Sequence, residues 1–211
     1  MDSLIGAVPN HWAEHRLDSL CEILSGGHVD LVTRGSAETP VVTPRDLAHN
    51  RIADHCAMGT SREVATGMSR YSLEPGDIVC SRRGDLGRRG LAGTNQRGWL
   101  ISSACLRLRA REMISAPYLI HYLGHSAVRR WIAGNTGGAV FPSLSTVMLG
   151  SLPVMVPPET VQATVADILG TLDDKIIIHE QISRTTAALR DALLPQLLSE
   201  ANPESSAARS G

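Results

Sequence analysis

Apolar residues first take a helical spacing at Leu17, Leu20, Ile23 and Leu24, between Pro9-Asn10-His11-Trp12 and Ser25-Gly26-Gly27. The spacing predicts a short entry helix. From His28 to about Ala110 the apolar runs shorten and turn residues break them: Pro40-Val41-Val42-Thr43-Pro44, Gly76-Asp77-Ile78-Val79-Cys80-Ser81, and Trp99-Leu100-Ile101 through Cys105-Leu106-Arg107-Leu108. Such runs predict short strands in a curved, mostly antiparallel sheet. Helical spacing returns at Ser115-Ala116-Pro117, with Tyr118, Leu119, Tyr122 and Leu123 on one face before Gly124. A further short helix begins near Ser126, turns Val128, Trp131 and Ile132 inward, and ends at Gly134-Asn135-Thr136-Gly137-Gly138. Leu152 to Pro158 reads as extended, because a residue before proline is pushed out of the α region.

After Pro158 the pattern changes scale. Val165, Ile168, Leu169, Leu172, Ile176, Ile182, Leu189 and Leu193 recur at spacings of three and four. They predict one helix over residues 159–200, with a narrow apolar stripe along roughly five to six heptads. At about 1.5 Å per residue it extends on the order of 50 Å, more than the preceding domain can cover, so its stripe needs a partner helix. Lys175, His179 and Thr186 interrupt the stripe, as polar residues do where register or partner choice is specified. Residues 201–211 hold no apolar side chain larger than Ala and read as disordered. The fold class is therefore α+β: a domain over residues 1–158, a long C-terminal coiled-coil helix over 159–200, and a tail.

Aromatic residues are only 3% of the chain, so the core must rest on Leu, Ile, Val and Ala. The net charge of -1 argues against a nucleic-acid binder, which is usually basic. The distribution changes that picture. Arg82, Arg83, Arg88, Arg89, Arg97, Arg107, Arg109 and Arg111 stand against the single acid Asp85 in their window, while acids collect from Glu159 onward. Cys21, Cys56, Cys80 and Cys105 form no C-x-x-C pair, which fits free thiols in a reducing compartment rather than a disulfide framework or zinc ribbon. The N-terminus lacks the pattern of a signal peptide and no run is long enough to span a membrane, so the expectation is a cytoplasmic protein.

The segment Ser81-Arg82-Arg83-Gly84-Asp85-Leu86-Gly87-Arg88-Arg89-Gly90 carries the strongest chemical signal. Its glycines let the backbone approach a phosphate, and the arginine fork binds phosphate or the guanine edge bidentately. Read alone, it fits an ordinary solvated loop better than a binding site. The Gly134–Gly138 stretch offers backbone N–H groups, with Asn135 and Thr136 as further donors, yet it also reads as a simple helix end and lacks the Lys-Ser/Thr ending of a nucleotide-binding loop. His28, His49, His55 and Cys56 match no standard metal-ligand spacing. Asp173-Asp174-Lys175 imitates half of a nuclease motif, with Asp77 as a distant acid, but isolated charges on an exposed helix face are normal. No methyltransferase loop or dinucleotide fingerprint is present.

Val8-Pro9-Asn10-His11-Trp12 with Arg16-Leu17, Pro75-Gly76-Asp77-Ile78-Val79 with Ser81 and Gly84, and Gly137-Gly138 with Phe141-Pro142-Ser143-Leu144 stand in order along the chain. Leu149, Leu152-Pro153-Val154 and Val156-Pro157-Pro158 follow, and Gln162, Val165, Leu169, Leu172-Asp173 and Lys175-Ile176 continue into the long helix. In this order the segments resemble the specificity subunit of type I restriction-modification systems. The match runs to about Glu200 and corresponds to one half of a subunit that usually carries two target-recognition domains and two such helices. The resemblance implies a non-catalytic DNA-recognition subunit that grips one half of a bipartite site in double-stranded DNA, without a cofactor or metal of its own. Arg82, Arg83, Arg88, Arg89, Asn135, Thr136 and Gly137 are the candidate DNA contacts. Ile168, Leu172, Ile176, Ile182, Leu189 and Leu193 are the candidate dimerisation face. The implied partners are a second copy or a related half-subunit, a methyltransferase subunit that would carry S-adenosylmethionine, and through it a restriction subunit. The rival from another class is a coiled-coil scaffold protein without DNA specificity.

Overall fold

The computed structural model describes residues 2–29, 31–33, 38–136 and 143–200. Gly137, Gly138, Phe141, Pro142 and the tail from residue 201 lie outside them. The chain divides into two compact units, Met1–Gly170 and Thr171–Gly211.

The first unit opens with the strand pair β1 (Asp2–Ser3) and β2 (Gly6–Ala7), then β3 (Ala13–Arg16). The expected entry helix is only one turn, α1 (Leu17–Leu20), and the chain continues as β4 (Cys21–Ser25). The correction has a clear cause: β4 pairs antiparallel with a strand at residues 105–110, and that ladder claims Ile23 and Leu24. Next come β5 (Val32–Thr33), β6 (Thr39–Val42), β7 (Leu47–Ala48), β8 (Asn50–Ile52), β9 (Met58–Thr60), and a helix that the strand-like reading missed, α2 (Arg62–Gly67). Ser61 caps α2 by accepting from the Val64 N–H at 3.3 Å. The strands β10 (Ile78–Ser81), β11 (Arg89–Leu91), β12 (Leu100–Ile101) and β13 (Cys105–Ala110) lead to α3 (Ala116–Gly124), α4 (Ser126–Asn135), α5 (Thr146–Gly150), β14 (Pro153–Val156) and α6 (Glu159–Glu200). Ser115, as expected, caps α3, accepting from the Tyr118 N–H with Pro117 in the first turn.

Two sheets form the domain rather than one: a six-stranded sheet ordered β4-β13-β10-β11-β8-β7 and a four-stranded sheet ordered β12-β6-β9-β5, with β14 and β3 as a separate pair. Pairing is mostly antiparallel, as the turn chemistry predicted; β11–β8 and β12–β6 are parallel. Strand β10 is buried on both faces. Ile78 and Cys80 join Leu17, Leu20, Leu106, Leu108, Leu119 and Val128 in the larger core, while Val79 points the other way to Val42, Leu47, Leu73 and Ile101. Period-two alternation thus divides one strand between two aliphatic cores.

The start of α6 is tied to this unit through Gln162, which is 4% exposed. Its Nε2 donates to the carbonyls of Pro157 and Met113, and its Oε1 accepts from the Ser115 N–H at 2.8 Å. Tyr118 and Tyr122 of α3 donate their hydroxyls to the Met155 and Pro153 carbonyls of β14, both at 3.0 Å. Burial pushes the Tyr122 hydroxyl up to about 12 and raises that of Tyr118 as well.

The second unit is the continuation of α6. Ile168 near its start and Leu172, Ile176, Ile178, Ile182, Leu189, Leu193, Leu194, Leu197 and Leu198 beyond are all exposed. The stripe read from the sequence lies on one continuous helix, together with polar Lys175, His179 and Thr186.

Candidate nucleic-acid interface

The arginine-rich loop joins β10 to β11. Gly84 sits at φ 76°, a conformation that a side chain makes costly, so the tight turn requires glycine there. The four arginines do not all reach outward. Arg82 turns in, its Nη1 donating to Ser25 Oγ at 2.9 Å while its Nε is buried without a hydrogen bond among the described residues. Arg89 is half-buried; its Nε donates to the Ile120 carbonyl at 2.8 Å and its Nη1 to the Gly87 carbonyl at 3.0 Å. Gly124 at the end of α3 leaves room for that guanidinium, which any side chain there would meet. Arg89 therefore fastens α3 to the sheet. Arg88 is exposed and lies 3.6 Å from Asp85, with Nη1 donating to the Pro44 carbonyl at 3.3 Å. Arg83 is exposed, its backbone bridging to Ser143.

The remaining arginines of the window are engaged elsewhere in the domain. Arg107, 4% exposed, binds Glu22 and the carbonyls of Arg70 and Ser72. Arg109 holds Asp77 bidentately, both contacts at 2.7 Å, and Arg97 lies 3.5 Å from Glu74. This pairing raises the Arg109 pKa. Asp77 is 1% exposed and its Oδ2 also accepts from the Glu74 N–H, so it braces the turn before β10 and is not presented to solvent as a nuclease acid would be. Within the run, Arg88, Arg97, Arg107 and Arg109 each lie beside a carboxylate, while Arg82, Arg89 and Arg111 bind neutral oxygens.

A cleft of about 660 Å³ lies between this loop and α4, lined by Gly84, Asp85, Leu86, Gly87, Arg129, Arg130, Ile132 and Thr136 among others. It brings together the two segments singled out in the sequence, the arginine loop and the end of α4. Arg129 and Arg130, both exposed, were missed. Their signal was present: Val128 and Ile132 point inward four residues apart, which leaves the two arginines between them facing out. Asn135 and Thr136 are at the cleft end of α4, but their donors are engaged, the amide with the Trp131 carbonyl at 2.8 Å and the hydroxyl with the Ile132 and Ala133 carbonyls. They close the helix rather than offer free donors. Gly137, the last of the candidate contacts, is outside the described residues.

Among the described residues no group of three or more His, Cys, Asp or Glu side chains could hold a metal. All four cysteines are free and buried. Burial pushes the thiols of Cys21, Cys80 and Cys105 up to about 12. No described helix is long and apolar enough to cross a membrane.

The chain thus combines an α+β domain, with exposed arginines around a surface cleft, and a long helix with an exposed apolar stripe. The chain belongs to the family of type I restriction modification DNA specificity domains, whose model matches residues 9–185. It is 24% identical over 163 residues to the type I restriction enzyme HindI specificity subunit of Haemophilus influenzae, covering 75% of this chain and 35% of that protein. Its fold is similar to the HsdS subunit of Thermoanaerobacter tengcongensis (TM-score 0.57, 19% identity, 89% of this chain and 41% of that one). It is also similar to the type I S subunit of M. genitalium (TM-score 0.58, 17% identity, 88% and 45%) and to a chain from a type I R-M system (TM-score 0.67, 18% identity, 93% and 47%). The chain spans about a third to a half of the length of these relatives.

Proposed function

We propose that this chain is a sequence-specific DNA-recognition subunit of a type I restriction-modification complex, and that it is not itself a catalyst. The observation that carries the reading is the cleft of the first unit: Arg129 and Arg130 of α4 line it opposite the loop that carries Arg83 and Arg88, while the other arginines of the window are bound within the domain. Exposed guanidinium groups on two adjoining elements suit the phosphates of a duplex, where they set position, while neighbouring side chains read base edges. One domain binds one half of a bipartite site. The exposed stripe of α6 joins it to a second half, and methyltransferase subunits that hold S-adenosylmethionine dock on the same helix. A restriction subunit joins through them.

The test is selection of bound duplexes from a randomised pool at low salt, followed by affinity measurements at rising salt. Two-fold protein symmetry predicts an inverted repeat with a fixed spacer. Log affinity should fall linearly with log salt, with a slope of about -0.9 for each phosphate contacted. No enriched sequence, together with binding indifferent to salt, would favour the scaffold reading and overturn this one.

A further inference from the structure

Resting on the reading of the first unit as a DNA-recognition domain, we infer that the tip of the β7–β8 hairpin, His49-Asn50, enters the major groove and reads base edges, while the arginines around the cleft hold the flanking phosphates. The hairpin closes in a two-residue turn, since Leu47 pairs with Ile52 and Ala48 with Arg51. His49 stands at φ 48° and Asn50 at φ 58°, and among the described residues they alone, apart from glycines, have positive φ. Two left-handed central residues define a type I′ turn, which Asn-Gly or Gly-Gly closes with least strain. Asn and His enter this region more readily than most residues, yet both do so at a cost that glycine is spared. The turn thus keeps two polar side chains where closure alone favours fewer. Strain held at an exposed tip points to a use for the side chains that cause it.

The sheet register puts that tip beside the arginine loop. Strand β8 runs parallel to β11, with Asn50 opposite Gly90 and Arg51 opposite Leu91, so both strands start at the same end of the sheet. The loop that carries Arg83 and Arg88 enters β11 at that end, and Arg88 Nη1 reaches the carbonyls of Pro44 and Leu47 at 3.3 and 3.5 Å. Asn50 Nδ2 lies 3.4 Å from Nδ1 of His121 in α3, while Arg89 holds the adjoining Ile120 carbonyl, so the carboxamide has a fixed seat. His49 and Arg51 on either side of it are exposed. Arg129 and Arg130 line the cleft on the other side of the loop. One end of one sheet therefore presents a narrow two-stranded ribbon with guanidinium groups next to it. The major groove, about 12 Å wide, admits such a ribbon and is bordered by phosphates. A carboxamide matches N6 and N7 of adenine, and an imidazole N–H can donate to a purine N7. The tip supplies the base-reading chemistry, and the arginines supply the positioning charge.

The test compares the full-length chain with its His49→Gly, Asn50→Gly double variant, each used to select duplexes from a randomised pool. Glycine adopts both backbone angles freely, so the turn still closes, and a thermal melt checks that the domain is intact. Should that variant fail to fold, His49→Asn with Asn50→Gly, the pair this turn favours most, replaces it. Affinity for the duplex selected by the unaltered chain is then measured beside affinity for an unrelated duplex of the same length. The ratio of the two should fall about tenfold in the variant, and the base preference should flatten at one or two adjacent pairs. Asn50→Gly alone should flatten it at an A·T pair. Unchanged preferences in the double variant would overturn the proposal, as would a preference lost in Arg129→Ala instead. An equal loss for both duplexes, with a shallower salt dependence, would put the tip on phosphates and overturn base reading too. Each of these results leaves DNA recognition by the domain standing. An unaltered chain that enriches no sequence would instead sink the broader reading, and this proposal with it.

Discussion

Leu106 in β13 and Leu172 in α6 are the same side chain in opposite circumstances. The first is fully buried between strands and helices; the second is 49% exposed on a helix. The domain buries most of its large apolar residues internally, and even Arg107 and Asp77, both buried, find hydrogen-bond partners there. Beyond Gly170 most of the large aliphatic side chains of α6, from Leu172 to Leu198, stay exposed. A row of exposed Leu and Ile at seam spacing gains its stabilisation only when another surface covers it. The difference separates residues that determine whether the domain folds from residues that determine what it joins.

Alkali should produce the largest effect, and only in the domain. Burial pushes the folded thiols of Cys21, Cys80 and Cys105 up to about 12, well above the ordinary thiol range. In that window the unfolded chain releases protons that the folded one retains, so stability is full below about pH 9 and falls as pH rises toward 12. Each of the three buried thiols should add to this loss, which grows as the pH rises through the window. Thermal melts followed from pH 8 to 11 would check this; a midpoint unchanged at pH 10 would contradict it. Helix α6 holds no cysteine or tyrosine and contributes nothing to that transition.

Replacing the two leucines sharpens the contrast. Leu106→Ala should cost the domain about 3 kcal/mol in urea unfolding, through lost burial and the cavity left behind. Leu172→Ala should change the same transition by less than about 0.5 kcal/mol while weakening self-association. Equal costs would break the comparison. Within the arginine loop, Arg89→Ala should destabilise by about 1–2 kcal/mol, since the Ile120 and Gly87 carbonyls lose their donor. Arg83→Ala should leave stability within about 0.5 kcal/mol and weaken DNA binding evenly across sequences, reducing the salt slope by about 1. Gly84→Ala should cost about 1 kcal/mol, from forcing a Cβ into a left-handed turn.

How much of this was legible depended on the range of the interactions. The stripe of α6 and the helix starts at Ser115 and near Ser126 are local, and the sequence pattern displayed them directly. Leu17 to Leu24 shows where local reading fails, because pairing with β13, more than eighty residues away, drew Ile23 and Leu24 into a strand. The surroundings of the arginines were hidden for the same reason. Consecutive arginines read as one positive surface, but Glu22, Glu74 and Asp77 approach Arg107, Arg97 and Arg109 only once the sheet forms. Asn135 and Thr136 were read as ligand donors although their positions at the end of α4 already called for closing the helix. Arg129 and Arg130 follow from a local pattern, since buried Val128 and Ile132 on either side leave them facing out.

The most direct test is the mass in solution of the full chain beside its Leu172→Asp, Leu189→Asp double variant, by sedimentation equilibrium at micromolar concentration. The account predicts twice the chain mass for the first and the single-chain mass for the second, with both retaining the same domain unfolding transition. A single-chain mass for both would contradict it, and would mean that the exposed stripe of α6 is covered by something other than its own copy.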